Sequence, residues 1–572
     1  MNARFEWLKR FPSTTSSEGP PAEMSGRSRR LFLKVTALST AGVASGMLGS
    51  SLTPAGSSAA STTADVRRWR AVAMAGEPGL IVPVRSVNEY GAVPSVLVDQ
   101  ASAIQLAIDS VPSGTTLRVP AGDYRVDTTV VVNRAIRLEG PGRLVAAHDS
   151  PCISVEADDV YLGGGLSLKG RQRTKWIPGA RGISCIGTIE SPRRRLHISD
   201  VNVTQFGGGG IVLEFVQDFT STDTVVEGCA YYGMALVSVQ RAAIIKPTVV
   251  DISTGGLPNA YGITATRWNG PLAVHPRSSD VLISDALIDG VPDWAGIDTH
   301  GGRRITALRC IVLRCKRGID FVGGTNELSV VSFAPLDVAI QDCVVDGTGI
   351  KTSHGIGVSG AGTVVGSPIE YATGMISGNH VIRSGDASNH SLGGFWFRTT
   401  LGLRAICNRA TEPGSHGVVL SSDNQAFIIS GLQVTDPWSD THTIPSVVST
   451  RSTNNSGVIS GFYGRRGGKE ATSVLAYGFY QSDPSTTTTV AVGPDCAVES
   501  GTLLAEGGGG LRTGTSMNAS VVRVGRGNGR VGFFSATPIP KPVIRAAASD
   551  GATTQALVND LRTALISLGL LR

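Results

Sequence analysis

The chain has 572 residues, 41% of them apolar and only 6% aromatic, with 72 glycines. Apolar residues recur throughout, which excludes a disordered chain, and the glycine surplus points to many turns and stacked small side chains instead of a helical globule. The formal charge of +6 concentrates at the start: with the seven basic and three acidic residues of 1–64 set aside, 44 basic groups face 42 acidic ones, which gives no argument for nucleic acid or an anionic membrane as partner.

In chain order, the first signal is Ser28, Arg29, Arg30, Leu31, Phe32, Leu33 and Lys34. This SRRLFLK run matches the twin-arginine export motif. A weakly apolar Ala/Gly/Ser-rich stretch follows from Val35 to Leu52, and small residues near Ala60 and Ala64 suit a signal peptidase. Residues 1–64 therefore read as a twin-arginine signal peptide. It implies the twin-arginine translocase as a partner during export, a secreted or extracytoplasmic location, and no stable membrane span after cleavage; no other segment approaches span length. Residues 65–83 read as a linker.

A short helix is predicted after Asp99, which can cap it, with Ile104, Ala107, Ile108 and Val111 on one face; TLRVPAGDYRV then opens the first strands. Beyond it, glycine followed by an apolar residue recurs at Gly210 (GIVLE), Gly233 (GMALV), Gly262 (GITAT), Gly296 (GIDTH), Gly318 (GIDFV), Gly355 (GIGVS), Gly394 (GFWFR) and Gly417 (GVVLS). The intervals are 23, 29, 34, 22, 37, 39 and 23 residues, a minimum with variable excess, as a three-sided coil gives when its turns keep their strands and lengthen their loops. Alternation tests the alignment: fifteen of the sixteen second and fourth positions are apolar, Thr299 being the exception, and every charged residue falls in the third or fifth position, which then faces outward. A second strand column lies upstream in HISDVNV, VLISDALI, ALRCIVL, AIQDCVV and MISGNHVI, placing Cys310, Cys343 and Asn379 at equivalent inward sites. The eight cysteines form no CxxC pair and are spread widely, so buried thiols are expected in preference to metal knuckles or a disulfide scaffold.

Residues 84–127, VRSVNEYGAVPSVLVDQASAIQLAIDSVPSGTTLRVPAGDYRVD, resemble the opening of the pectate-lyase-type β-helix superfamily, which includes polysaccharide lyases, glycoside hydrolases, mannuronan epimerases and phage tailspikes. With the repeats, the resemblance covers 84–465 and implies an all-β chain, a right-handed parallel β-helix whose N-terminal helix covers the open end. The aspartates usual before that helix are reduced to Asp99, so no metal is implied there. Residues 466–535 read as a small β-rich region and 536–572 as a tail with an amphipathic helix. GRVGFFSATPIPKP and QALVNDLRTALISLGLLR are similar to the closing segment of actinobacterial phage tail proteins. The apolar face of Leu557, Leu561, Ala564, Leu565 and Leu568 fits either a homotrimer or packing back on the body.

Asp298 and Asp320 share one outward column on the two turns with the shortest interval, so strand stacking of about 4.8 Å should bring the carboxylates within roughly 5 to 6 Å. Like charges so placed separate into an acid and a base, and His300, two residues from Asp298, adds a group titrating near neutrality. Asp298, His300 and Asp320 are the candidate catalytic residues. Trp294 and Trp396 offer faces for sugar rings. Asp293, Arg303, Arg304, Arg317 and Arg398 are candidate substrate-binding groups, the arginines suiting a sugar carboxylate. The bland alternative is a solvated charge ladder with surface ion pairs.

GIDTH also resembles the GFDPH-type site of mannuronan carbon-5 epimerases, and by that resemblance Asp298 and His300 fall on the family's catalytic Asp and His. Ala295 stands where the family has its tyrosine, and Thr299 replaces the proline. The residues favour a polysaccharide-acting glycoside hydrolase. A uronate lyase or carbon-5 epimerase and a non-catalytic tailspike-like glycan-binding protein are the alternatives. No cofactor is required; calcium fits only by analogy, since no clustered acidic set demands it.

Overall fold

The computed structural model describes residues 83–465, apart from 172–174, 327, 363–368, 387–391, 438–444 and 452–453, and beyond these 477–481, 489–493, 495–499, 502–504, 512–513, 530–531, 539–540 and 551–567. The export motif from Ser28 to Lys34 lies outside the described residues, as does the 65–82 part of the linker.

The recurrent glycine is the second residue of its strand at Gly210, Gly233, Gly262, Gly355 and Gly417, lies inside a longer strand at Gly296 and Gly318, and stands just before one at Gly394. Hydrogen-bonded neighbours run in one register, Ile211 beside Met234, then Ile263, Ile297, Ile319, Ile356, Phe395 and Val418, all in parallel pairing. Nearly all strands belong to two large sheets of stacked parallel neighbours. The chain is a right-handed parallel β-helix. The inward residues of every turn merge in one core, where Ile297, Ile319, Phe321, Ile356, Phe395 and Phe397 are all buried. Thr299, the polar exception, donates its hydroxyl to the Ala265 carbonyl and accepts the Gly302 N–H at 3.1 Å.

The upstream column is two columns, not one. HISDVNV forms His197–Ser199 and Asn202–Thr204, with Asp200 between them at φ 55°. Asp285, Arg309, Asp342 and Cys407 repeat this left-handed corner at φ 51–54°, and Gly378 does so at 69°. The next residue turns inward each time, giving the buried series Ala286, Cys310, Cys343, Asn379 and Asn408. Backbone N–H groups at the corner are satisfied by the ladder: Cys343 N–H donates to Asn379 Oδ1 at 2.9 Å, and Asn379 N–H to Asn408 Oδ1 at 3.1 Å. The cysteines are all free thiols and seven are buried; Cys407, itself a corner residue, is exposed.

At the N-terminal end, helix α1 (Ala101–Ser110) buries Ile104, Ala107 and Ile108 in the same core. Its first residue follows Gln100, so Asp99 stands one position further out than a standard cap. Asp99 Oδ1 still accepts the Ala101 N–H at 3.0 Å and the Asp127 N–H at 2.9 Å, tying the helix to the first turn. Helix α2 (Gly551–Ser567) carries Val558 and Leu561 exposed, at 51% and 46%.

Candidate active site

Six strands build the site: β1 (Tyr232–Val237), β2 (Tyr261–Thr266), β3 (Leu287–His300), β4 (Ile311–Val322), β5 (His354–Ser359) and β6 (Phe395–Arg398). Their outward side chains stand in three columns. The central one runs Ala235, Thr264, Asp298, Asp320, Gly357, Trp396. Beside it, the residues preceding each glycine run Tyr232, Tyr261, Ala295, Arg317, His354. Asp298 and Asp320 are therefore in register on adjacent turns, as the repeat implies.

The ladder is not solvated. Asp298 and Asp320 are each 1% exposed, because side chains from neighbouring turns form a second small core over the sheet. Tyr231, Tyr261 and Ala295 are its buried centre, with Trp176, Tyr232, Leu257 and Trp294 partly buried around them.

The two carboxylates are held differently. Asp320 accepts from Arg317 Nη1 at 2.7 Å and contacts His354 Nε2 at 3.0 Å. Burial alone would raise its pKa, but His354 and Arg317 outweigh it and keep the group well below the usual carboxylate range. Among the described residues Asp298 has His300 Nε2 as its ion-pair partner, 3.0 Å from Oδ1, and no donor directs a hydrogen bond to either of its oxygens. Burial therefore prevails over the pull of His300, and the Asp298 carboxyl is raised. At His300 burial works against the cation, yet the Asp298 charge and contact overcome it and the imidazole pKa rises. Its side chain keeps 32% of its surface in water, while Asp298 is closed off beneath it at 1%.

Two residues of the site, Tyr261 and His354, stand before the repeated glycine and carried no signal in the repeat, and Gly357 entered it only as a position without a side chain. Tyr261 places its hydroxyl 3.5 Å from His300 Nε2, one turn from Ala295 in the same column, so a phenol does reach the imidazole, supplied by the neighbouring turn. Burial, then the Asp298 charge, push its pKa far up. His354 stacks on Trp396, ring centroids 5.5 Å apart at 16°. Gly357 leaves the gap through which His354 reaches Asp320, since a Cβ there would collide with both partners.

Of the candidate binding residues, Arg317 and Trp294 join the site, the guanidinium lying 3.9 Å over the indole. Trp294 sits on a three-residue bulge between Val291 and Ala295, and the extra length of that turn lies in 267–278. Trp396 reaches the site through His354. Arg398 lies in the His300 column three turns on, about 14 Å away by strand spacing. Arg303 and Arg304 are not at the site: both stand on another face of the coil, Arg304 chelated by Asp280 and Arg303 3.8 Å from Asp337. Asp293 is exposed on the bulge and lines a separate depression with Asp251 and Arg314, the last bonded to Asp289 at 2.6 and 2.7 Å. The physical reason is the corner: a few residues further along the chain, a side chain leaves a different side of the coil. Among the described residues no three acidic, His or Cys side chains converge to hold a metal ion.

No protein-family model and no curated protein sequence matches this chain. Solved structures do. The pre-mature gene product 12 of bacteriophage phi29 aligns with TM-score 0.50 at 14% identity, over 82% of this chain and 61% of its own. The fold is the parallel β-helix. The A-module of the Azotobacter vinelandii mannuronan C-5 epimerase AlgE4 aligns at 0.38 with 14% identity, covering 68% of this chain and 99% of that one. The catalytic unit of the Streptomyces thermodiastaticus GH87 alpha-1,3-glucanase aligns at 0.41 with 17% identity, covering 76% and 70%. At these identities the likeness is one of fold, and this β-helix spans about three fifths of the phage protein's length.

Proposed function

We propose that this protein is an exported polysaccharide-degrading enzyme, a glycoside hydrolase whose reaction centre is Asp298 with Asp320. One observation carries the reading: two carboxylates stand in register on adjacent turns, one bonded to an arginine and a histidine and the other to no directed donor. That asymmetry separates an acid from a permanent carboxylate. Asp298, whose carboxyl is shifted toward protonation, is the acid that gives its proton to the glycosidic oxygen as the C–O bond breaks. Asp320, kept ionised, stabilises the positive charge growing on the sugar carbon. Water then supplies a hydroxyl to that carbon, and its remaining proton restores Asp298. His300 is the contact through which the sugar approaches Asp298.

Tyr261 favours a second reading, a uronate lyase or carbon-5 epimerase. A phenol 3.5 Å from an imidazole is a pair suited to moving a proton beside a sugar carboxylate. The phage-tail-like closing segment suggests a third, a glycan-binding fibre that performs no reaction. Purified protein incubated with glycans separates them. Hydrolysis releases reducing ends without ultraviolet absorbance, lyase action creates an absorbing unsaturated uronate, and a fibre does neither. Reducing ends lost in both Asp298→Asn and Asp320→Asn support the first reading; full activity in both overturns it.

Export by the twin-arginine route is part of this proposal, carried by SRRLFLK. Residues 1–64 fused to a folded reporter should export it, and Arg29→Lys with Arg30→Lys should abolish that. A homotrimer joined through the Leu561 face of α2 is proposed likewise, and a monomeric mass by sedimentation overturns it.

A further inference from the structure

A chain of touching rings leads away from the carboxylates. His300 lies 6.0 Å from Tyr261, Tyr261 5.7 Å from Tyr231 and 5.8 Å from Tyr232, and Tyr231 5.6 Å from Trp176. Tyr231 and Tyr261 are buried and serve as support, while Trp176, Tyr232 and Trp294 keep part of their surface in water. Backbone fixes the outermost ring: the Trp176 N–H donates to the Gly255 carbonyl at 2.8 Å, where a side chain at 255 would strike Trp176. Rigid aromatic faces at a partly open edge, backed by buried rings, are surfaces that gain by covering apolar area without burying charge.

The arginines around this shelf are already matched to acids. Arg317 is divided between Asp320 and the Trp294 face. Arg181, two turns below Tyr232 in the same column, lies 3.8 Å from Glu214 and donates to Ser184 and to the Pro178 carbonyl. Glu214 in turn accepts from Trp268 Nε1 at 3.1 Å. Lys316 leans over the Trp294 ring, 5.7 Å from its centroid. A uronate carboxylate laid here would have only Lys316 to meet on the Trp294 face, or would have to draw Arg317 or Arg181 away from a buried acid and weaken that acid's pairing.

We propose that the partly exposed rings of Trp176, Tyr232 and Trp294 form a sugar-binding shelf beside Asp298, and that the glycan it takes is uncharged. The inference rests on the hydrolase reading in that the shelf serves the same carboxylates, and it names the substrate class. Affinity electrophoresis of Asp298→Asn through gels holding neutral glucans, mannans, xylans or galactans, or polygalacturonate or alginate, tests it. Retardation is expected from at least one neutral glycan and from neither polyuronate. Trp176→Leu and Tyr232→Leu, which keep an apolar side chain, should each weaken it about tenfold. Retardation by a polyuronate, by no glycan at all, or unchanged in both aromatic variants overturns the proposal. Reducing ends released from a polyuronate would sink the shelf and spare the hydrolase; neutral-glycan binding without reducing ends from wild type would do the reverse.

Discussion

His354 Nε2 reaches Oδ1 of Asp320 at 3.0 Å by crossing the place where residue 357 would carry a side chain. Gly357 thus sets the electrostatics of the site without contributing an atom to its chemistry. Gly357→Ala should displace the imidazole, raise the Asp320 pKa and cost about 1–3 kcal/mol of stability. Urea denaturation and turnover on the same preparation check this, and a variant matching wild type in both would refute the role.

The two aspartates should respond oppositely to neutralisation. Asp320→Asn takes the charge from between Arg317 and His354 and should cost about 2–4 kcal/mol, the lower side because Arg317 keeps 26% of its surface in water. Asp298→Asn removes a buried charge without a directed hydrogen bond beside a like charge, so its stability should stay within about 1 kcal/mol of wild type or rise. Thermal melts of both variants measure this, and an equal loss in the two would contradict the asymmetry.

Stability should follow pH with signs set by these groups. Asp320, depressed in the fold, stabilises above its unfolded value near 3.9, and that contribution is lost as pH falls through its lower folded value. Asp298, raised, does the opposite: its contribution is full below about 3.9 and lost as pH rises through its folded value. His300, also raised, stabilises below about 6.5 and ceases to do so as pH rises through its folded value. Melting curves across pH should accordingly flatten on the acid side in Asp320→Asn and above about pH 6.5 in His300→Gln. An acid limb unaltered by Asp320→Asn would show the carboxylate to be unpaired.

Asn379 donates to the Ile340 carbonyl at 2.9 Å and to Asn408 at 3.0 Å while accepting the Cys343 N–H. Asn379→Ala leaves these buried groups without partners and should cost about 2–4 kcal/mol. Chemical denaturation decides it; a change under half a kcal/mol would mean the ladder is dispensable.

Native protein should react with a thiol reagent once, at Cys407, and eight times after denaturation, because seven cysteines are buried. Burial pushes Cys152, Cys185, Cys229 and Cys315 up to about 12, which slows them further. Titration with a chromogenic disulfide counts both numbers, and several fast native thiols would contradict the packing.

The coil was legible because its rule is local. A glycine followed by alternating apolar residues marks a strand and its inward face whatever the loops do, so Asp298 and Asp320 could be stacked from Gly296 and Gly318 alone. The residue before each glycine is the column that the repeat omitted, and it holds Tyr261, Arg317 and His354. Their types differ from turn to turn, so no periodicity announces them.

By itself, the amino-acid order determined the β-helix, its register and the adjacency of two carboxylates, since strand alternation and stacking are properties of short segments. Only the tertiary structure decided that Asp320 is bonded to His354, that Asp298 lacks a directed donor, and that aromatic rings roof the outward face. These depend on side chains from different turns meeting, His354 with Asp320 across 34 residues and Tyr261 with His300 across 39, and the corners and loops that aim them carry no repeat.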